Sequence, residues 1–199
     1  MKQRMKLYVA YGSNLNKEQM KYRCPDSKVY ATGVIEDYEL QFKGRPNGAF
    51  ATIAPKQGAS VPVAVWMISK WDEKALDRYE GYPTHYTKEN IDVNIGGEKV
   101  EAMVYVMNQR MKFSMPSSLY YDIVSKGYDD FDLDKNVLLD AVKNTAQYIY
   151  TKASQTQEIY QSLFDLDEDN PFDDLDDEYE TEDETLTDPF YYSEDMRLM

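Results

Sequence analysis

The hydrophobic pattern of this chain changes its period once along the sequence, and that change constrains the fold most strongly. Up to about Met107, short runs of β-branched and aromatic residues alternate with glycine-containing turns, which is typical of strands. Beyond Met115, apolar residues recur at helical spacing. Strands first and helices late predict an α+β fold, in which the helices pack against a curved sheet or small barrel. We expect that sheet to be mixed and mostly antiparallel.

The same patterns predict the individual elements. Strands are expected at 6–11, 28–34, 38–42, 49–54, 61–68, 86–95 and 99–107. Turns are expected at 44–48 and at the glycine pair 96–97, which predicts a tight hairpin. Helices are expected at 17–23, 69–80, 116–126 and 133–153.

Acidic residues are concentrated in the C-terminal part of the chain. Residues 1–164 contain 21 Lys and Arg against 20 Asp and Glu, whereas residues 165–195 contain 16 Asp and Glu and no Lys or Arg. We therefore expect one nearly neutral domain, residues 1–153, followed by a largely disordered acidic tail, residues 154–199. This tail is a candidate for binding a basic protein partner. A nucleic-acid partner is not expected, because no basic patch accompanies the tyrosines.

Composition also sets expectations about location and cofactors. No run approaches the roughly 20 apolar residues of a membrane span, and the apolar segment 7–10 ends so soon at Gly12 that we interpret it as a strand rather than a signal peptide. The single cysteine, Cys24, excludes an intrachain disulfide, and the single histidine, His85, leaves little for a zinc site. We expect a cytoplasmic protein without a metal or other cofactor, either a monomer or a homodimer.

Glu80, at the C-terminal end of a predicted helix, is the main catalytic candidate. Ser69 and Asp72 have the spacing of a capping box, and Gly81 is typical of a helix end. The helix dipole disfavours a carboxylate at this end by roughly 0.3–1 kcal/mol, and burial among aromatic neighbours would raise its pKa further. Those neighbours are Trp71, Tyr79, Tyr82 and Tyr86. A carboxyl group that titrates near neutral pH can transfer protons, although an ordinary surface glutamate also fits the pattern.

The tight turn Gly12-Ser13-Asn14 is a second candidate, because it follows a strand and precedes a helix. Successive backbone N–H groups and a helix N-terminus converge at such turns, which suits a carboxylate or a developing oxyanion. The turn also fits a purely structural connection.

Together these segments resemble the gamma-glutamylcyclotransferase family. The resemblance rests on Tyr11-Gly12-Ser13-Asn14-Leu15, on Leu76-Asp77-Arg78-Tyr79-Glu80-Gly81 about 65 residues later, and on Pro116-Ser117-Ser118-Leu119-Tyr120, and it covers roughly residues 7–142. It implies a small mixed β-barrel flanked by helices, with a cavity at one end of the barrel.

The resemblance also implies roles for individual residues. Glu80 would be the general acid and base, and a loop would bind the γ-glutamyl group. The residues of that loop are Tyr11, Gly12, Ser13, Asn14 and Leu15. Tyr120 would lie near the substrate, with Tyr121 as a less favoured substitute.

The implied reaction needs no enzyme nucleophile and no cofactor. The α-amino group of a small γ-glutamyl substrate attacks its own γ-carbonyl, which forms 5-oxoproline and releases an amino acid or amine. The sequence does not identify that leaving group. The alternative is a non-catalytic interaction protein that keeps the fold and uses the acidic tail to bind a basic partner or to mimic nucleic acid.

Two other patterns carry less weight. Cys24 and His85 could form a thiol–imidazole pair, but neither lies in a recognisable motif. Arg45, in the 44–48 turn, could reach a substrate carboxylate, although a solvated loop arginine is the simpler interpretation.

Overall fold

The structure, a computed structural model, describes residues 5–46, 48–108 and 110–164. These residues form five strands, four α-helices and a short 3₁₀ helix at Ser13–Leu15. The strands are β1 (Lys6–Ala10), β2 (Lys28–Arg45), β3 (Gly48–Ile68), β4 (Tyr86–Ile95) and β5 (Glu98–Met107). The helices are α1 (Lys17–Arg23), α2 (Lys70–Tyr79), α3 (Ser118–Asp130) and α4 (Lys135–Phe164).

The described strands close into a barrel in the order β1-β3-β2-β4-β5. β1 and β5 are parallel, and the other neighbours are antiparallel. Closure requires β1 to pair with both β3 and β5, which brings the chain that follows β1 next to distant segments. The predicted α+β fold with a small, mixed, mostly antiparallel barrel is confirmed.

The two longest strands correct the sequence prediction. The segments 28–34 and 38–42 belong to one strand, β2, and the segments 49–54 and 61–68 belong to one strand, β3. These strands pair along most of their length, with register shifts at Val29/Ala31 and Glu36/Tyr38. Asp37, with φ of 58°, lies at the second shift. A bulge therefore takes up the polar residues that the sequence pattern assigned to a break between strands.

Side-chain caps stabilise the starts of the two helices that lie next to the site, and a glycine follows the end of α2. Ser69 and Asp72 form the predicted capping box at the start of α2. α2 ends at Tyr79, Glu80 is its C-cap residue, and Gly81 adopts φ of 61°. The predicted position of Glu80 at the helix end is confirmed. The side chain of Asn16 caps α1 by accepting hydrogen bonds from two backbone N–H groups.

The last helix extends beyond its predicted end at 153, since α4 continues to Phe164. The chain divides into two units, Met1–Lys152 and Ala153–Met199, and the structure describes the second unit only as far as Phe164. In the second unit, residues 153–162 are exposed except for partly buried Ser154. The first part of the predicted tail is thus helical. Residues 165–199, on which the prediction of disorder depends, lie outside the described residues.

One cluster of buried apolar side chains joins the barrel to the helices in the first unit. It includes Val9 of β1, Met20 of α1, Ile35 of β2, Ile53 of β3, Leu76 of α2, Val93 of β4, Val104 of β5, Val124 of α3 and Leu138 of α4. Within the described residues, no helix combines the length and apolar character required to cross a bilayer.

Candidate active site

A cavity lies where the turn after β1, the end of α2 and the start of α3 meet. It encloses about 300 Å³, including space open to solvent. Its lining residues are Tyr8, Tyr11, Gly12, Ser13, Asn14, Ala51, Glu80, Tyr86, Tyr105 and Tyr120. The fold therefore brings Glu80 to the turn that precedes it by more than 60 residues.

Glu80 contacts that turn through the side chain of Asn14. The Asn14 Nδ2 atom donates to Glu80 Oε1 at 2.9 Å and to Tyr8 Oη at 2.8 Å. On its other side, Asn14 Oδ1 accepts from Arg23 Nη1 at 2.6 Å. A continuous hydrogen-bonded path thus connects the end of α1 with the carboxyl group of Glu80.

Burial raises the pKa of Glu80 to about 7, which is a change suited to proton transfer near neutral pH. The charge of Arg23 and the hydrogen bond from Asn14 act in the opposite direction, but their effect is smaller. The predicted aromatic surroundings are partly wrong. Tyr86 lines the cavity, whereas Trp71 and Tyr82 do not line it and are 69% and 42% exposed.

Tyrosines from several elements provide most of the cavity wall. Tyr11 Oη donates to the backbone oxygen of Tyr105 at 2.6 Å. At Ala51, the backbone oxygen accepts from Tyr86 Oη at 3.0 Å and the backbone N–H donates to Tyr120 Oη at 3.1 Å. Burial raises the pKa of each of these phenols. The tyrosine part of the wall is therefore polar but uncharged at neutral pH.

The cavity brings together the predicted site residues except Leu15. Leu15 is fully buried, and a Cβ atom placed on Gly127 of α3 would lie 2.5 Å from the Leu15 Cβ. Leu15 thus anchors the turn to α3 instead of lining the cavity. Tyr120 lines the cavity, whereas Tyr121 packs against the apolar core.

The sequence patterns did not point to Arg23, which lies in the last turn of α1. Its guanidinium group lies 3.7 Å from the ring centroid of Tyr79 and donates from Nη1 to Ser13 Oγ at 3.2 Å. It also donates from Nη2 to Gln19 Oε1. The spacing of Gln19 and Arg23, four residues apart on a helix that follows the turn, is the one sequence signal that could have indicated this placement.

The weaker candidates do not line the cavity. The Cys24 thiol is buried and donates to the backbone oxygen of Asp72 at 3.7 Å. Burial raises the pKa of Cys24 to about 12, so little thiolate exists at neutral pH. His85 and Arg45 are exposed. Among the described residues, no three His, Cys, Asp or Glu side chains are arranged to hold a metal ion.

Residues 8–130 match the sequence model of the family described as gamma-glutamyl cyclotransferase, AIG2-like. The chain belongs to this family. The matched span contains all of the residues that line the cavity. The predicted relationship to the gamma-glutamyl cyclotransferase family is therefore confirmed.

Individual gamma-glutamyl cyclotransferase relatives agree with the family match. A human gamma-glutamylcyclotransferase is 29% identical over 131 residues, which cover 61% of this chain and 69% of the human protein. A bovine one is 36% identical over 83 residues, which cover 38% of this chain but only 44% of the bovine protein. A solved structure named gamma-glutamyl cyclotransferase superposes with a TM-score of 0.62 at 26% identity, covering 72% of this chain and 87% of that one.

Proposed function

We propose that the protein is a gamma-glutamyl cyclotransferase that releases 5-oxoproline from a γ-glutamyl amino acid, amine or isopeptide. The observation that carries this proposal is the contact between Glu80 and the Gly12-Ser13-Asn14 turn, at 2.9 Å from Asn14 Nδ2, in a cavity that raises the pKa of Glu80 to about 7. Membership of the gamma-glutamyl cyclotransferase family supports the reaction class.

In the proposed reaction the substrate supplies its own nucleophile. The α-amino nitrogen forms a bond to the γ-carbonyl carbon, and the amide bond between that carbon and the leaving nitrogen breaks. The α-ammonium group first releases one proton to solvent, which leaves a free amine. As the C–N bond forms, Glu80 accepts a second proton from the same nitrogen and returns it to the leaving amine, which takes up a further proton from solvent and departs as an ammonium ion. A pKa near 7 makes the carboxylate available as a base and the carboxylic acid available as an acid under the same conditions.

The cavity also offers neutral donors for the substrate oxygens. The hydroxyl oxygens of Tyr8 and Tyr120 accept hydrogen bonds from Asn14 and from the backbone of Ala51. Within the described part of the chain, neither hydroxyl donates to another protein atom, and both residues line the cavity, so each O–H group is available to a substrate oxygen. Together with the backbone N–H groups of the turn, they would hold the γ-carbonyl oxygen and the α-carboxylate.

The experiment is to incubate the protein with γ-glutamyl dipeptides, glutathione and γ-glutamyl-lysine, and to detect 5-oxoproline by mass spectrometry. Glu80→Gln is expected to lower kcat by about 10²–10⁴-fold without lowering the free energy of unfolding, because Gln can still accept the hydrogen bond from Asn14. Glu98→Gln, on the exposed β4–β5 hairpin, is the matched control and should retain full activity. Equal turnover by the wild type and Glu80→Gln would remove Glu80 from the mechanism.

The same panel addresses the leaving group, which neither the motifs nor the cavity identifies. The substrate with the highest kcat/KM would define the preferred leaving group. An absence of 5-oxoproline from every substrate would instead support the alternative, a non-catalytic interaction protein that keeps the gamma-glutamyl cyclotransferase fold.

We also propose a cytoplasmic location, since a single cysteine cannot form an intrachain disulfide.

For the acidic segment 165–195 we propose a basic protein partner. Truncation after Phe164 would remove these acidic residues while leaving α4 whole. The truncated protein is expected to keep its kcat/KM and to lose salt-sensitive binding to polylysine. Unchanged polylysine binding would contradict the proposed role of the acidic segment.

A further inference from the structure

We propose that Asn14 and Arg23 are positioning residues that fix the carboxyl group of Glu80, and that the Asn14 side chain is not a substrate ligand. This inference rests on the proposed function, in which Glu80 transfers the proton. It changes the role that the family resemblance implied for Asn14 and adds a role for Arg23. The basis is the path from Arg23 Nη1 through the Asn14 amide to Glu80 Oε1.

The hydrogen-bonding capacity of Asn14 supports this assignment. A side-chain amide has two N–H donors. In Asn14, one N–H donates to Glu80 Oε1 at 2.9 Å and the other to Tyr8 Oη at 2.8 Å. Both donors are therefore used within the protein. A substrate oxygen could bind to Asn14 only by displacing Glu80 or Tyr8.

Arg23 determines which end of the Asn14 amide faces Glu80. Its Nη1 atom donates to Asn14 Oδ1 at 2.6 Å, which directs the NH₂ group of the amide toward the carboxyl group. In the reversed orientation, the amide oxygen would face the Glu80 carboxylate and the NH₂ group would face the guanidinium. Both contacts would be repulsive, so a fixed Arg23 excludes that orientation.

Arg23 is itself held at several points. Nη2 donates to Gln19 one helical turn earlier, Nη1 also donates to Ser13 Oγ at 3.2 Å, and the guanidinium covers the ring of Tyr79 at 3.7 Å. Such a fork of donors over an aromatic face is specific to arginine, since a lysine ammonium has no planar fork. The position of α1 therefore determines, through Arg23 and Asn14, where the carboxyl group of Glu80 is held.

Among the described residues, Arg23 is also the cation that acts on Glu80 from the surrounding elements. The ionisable groups that act on Glu80 are Arg23 and Cys24 at the end of α1, Tyr8 of β1, Tyr11 after β1, Tyr79 of α2, Tyr86 of β4, Tyr105 of β5 and Tyr120 of α3. Burial raises the pKa of the cysteine and of each of these tyrosines, so they are neutral at pH 7. Loss of Arg23 would therefore remove the positive charge that lowers the pKa of Glu80.

The first test measures kcat and KM against pH for Arg23→Met, on the substrate that the wild type turns over best. Because Glu80 must be ionised to act as a base, removal of Arg23 should move the acidic limb of the kcat profile upward by about one pH unit. At pH 7 the ionised fraction of Glu80 would fall by about fivefold, so kcat should fall by about fivefold while KM stays within about twofold. Lys21→Met removes the same charge from an exposed position on α1 and should leave the profile unchanged. An unshifted profile for Arg23→Met would overturn the role of Arg23.

Asn14→Asp separates positioning from substrate binding, because Asp has nearly the same shape and keeps an acceptor for Arg23. It loses the donor to Glu80 and places a second carboxyl group beside it. Positioning predicts a fall in kcat of about 100-fold and an acidic limb at higher pH. If the Asn14 oxygen bound the substrate ammonium, Asp would strengthen that contact and lower KM. A lower KM with unchanged kcat would overturn the inference.

A titration without substrate separates failure of this inference from failure of the proposed function. The ¹³C side-chain carboxyl resonance of Glu80 can be assigned by its absence from Glu80→Gln and then titrated by NMR. Arg23→Met should raise the measured pKa, and Lys21→Met should not. This result would support the positioning role even if no substrate yields 5-oxoproline, whereas an unchanged pKa in Arg23→Met would refute it even in an active enzyme.

Discussion

At the scale of single residues, Gly12 lies so close to its neighbours that a methyl group at this position would make two tight contacts. A Cβ atom at this position would lie 3.1 Å from Tyr120 Oη and 3.2 Å from the Ala51 Cβ. Gly12→Ala should displace the Tyr120 hydroxyl and lower kcat/KM by about tenfold, which corresponds to roughly 1.4 kcal/mol of transition-state stabilisation. Steady-state kinetics with 5-oxoproline detection would measure this effect.

Two further variants show whether the Tyr120 hydroxyl is the cause. In a Tyr120→Phe background that hydroxyl is absent, so adding Gly12→Ala should lower kcat/KM by a smaller factor than it does in the wild type. Gly48→Ala is the matched control, because its Cβ would meet no atom closer than 4.0 Å. If the effects of Gly12→Ala and Tyr120→Phe on the transition-state free energy simply add, the alanine methyl group does not act through the Tyr120 hydroxyl.

Sequence reasoning at the residue scale succeeds where a local motif carries the information. Glu80 and the Gly12-Ser13-Asn14 turn each lie in a short pattern, a helix end and a strand-to-helix turn, whose geometry is determined locally. Arg23 and Tyr105 have no such pattern. Tyr105 lines the cavity because the barrel closes, and Arg23 acts behind the cavity wall through its contacts with Ser13 and Asn14. Single-sequence periodicity does not contain that information.

At the scale of elements, the docking of α3 on the turn after β1 depends on one glycine. A Cβ atom on Gly127 would lie 2.5 Å from the Leu15 Cβ and 2.7 Å from the backbone nitrogen of Asn16. Alanine is favoured over glycine in a helix by about 1 kcal/mol, but backbone contacts this short require α3 to move. We expect Gly127→Ala to lower the free energy of unfolding by about 1–3 kcal/mol, measured by urea denaturation.

The control for this substitution is Asp122→Ala, at an exposed position on the same helix, which should change stability by no more than about 0.5 kcal/mol. Because the turn carries Asn14, Gly127→Ala should also lower kcat. Stabilisation by Gly127→Ala would show that helix propensity outweighs the contact, and that α3 does not restrain the turn.

The strands show a different limit of sequence reasoning. Their positions could be predicted because alternation of apolar and polar residues is local, but the continuity of β2 and of β3 could not. Polar residues around Asp37, and around Gly58 of the partner strand, resemble a break. The structure keeps the strands paired there, with the backbone N–H of Gly58 donating to Asp37 Oδ1 at 2.8 Å. A contact between the two strands, which no local pattern contains, therefore keeps β2 and β3 continuous at this point.

At the scale of the whole molecule, the buried carboxyl group that serves the proposed chemistry also affects stability. Burial raises the pKa of Glu80 from 4.5 to about 7 in the folded state. Between these values the folded protein binds a proton that the unfolded chain releases. Protonation of Glu80 therefore contributes fully to the free energy of unfolding below about pH 4.5. This contribution is lost as the pH rises from about 4.5 through about 7. A shift of this size corresponds to about 3 kcal/mol.

Comparison of Glu80→Gln with the wild type isolates this contribution, because glutamine does not ionise and the other titrating groups cancel in the difference. Urea denaturation at pH 5, 6, 7 and 8 should show the stability of Glu80→Gln rising relative to wild type by up to about 3 kcal/mol. Glu98→Gln, at an exposed position, should follow the wild-type curve. Parallel curves for Glu80→Gln and wild type would mean that Glu80 titrates as an ordinary glutamate. The cavity would then lack the proton-transfer group on which the proposed cyclisation depends.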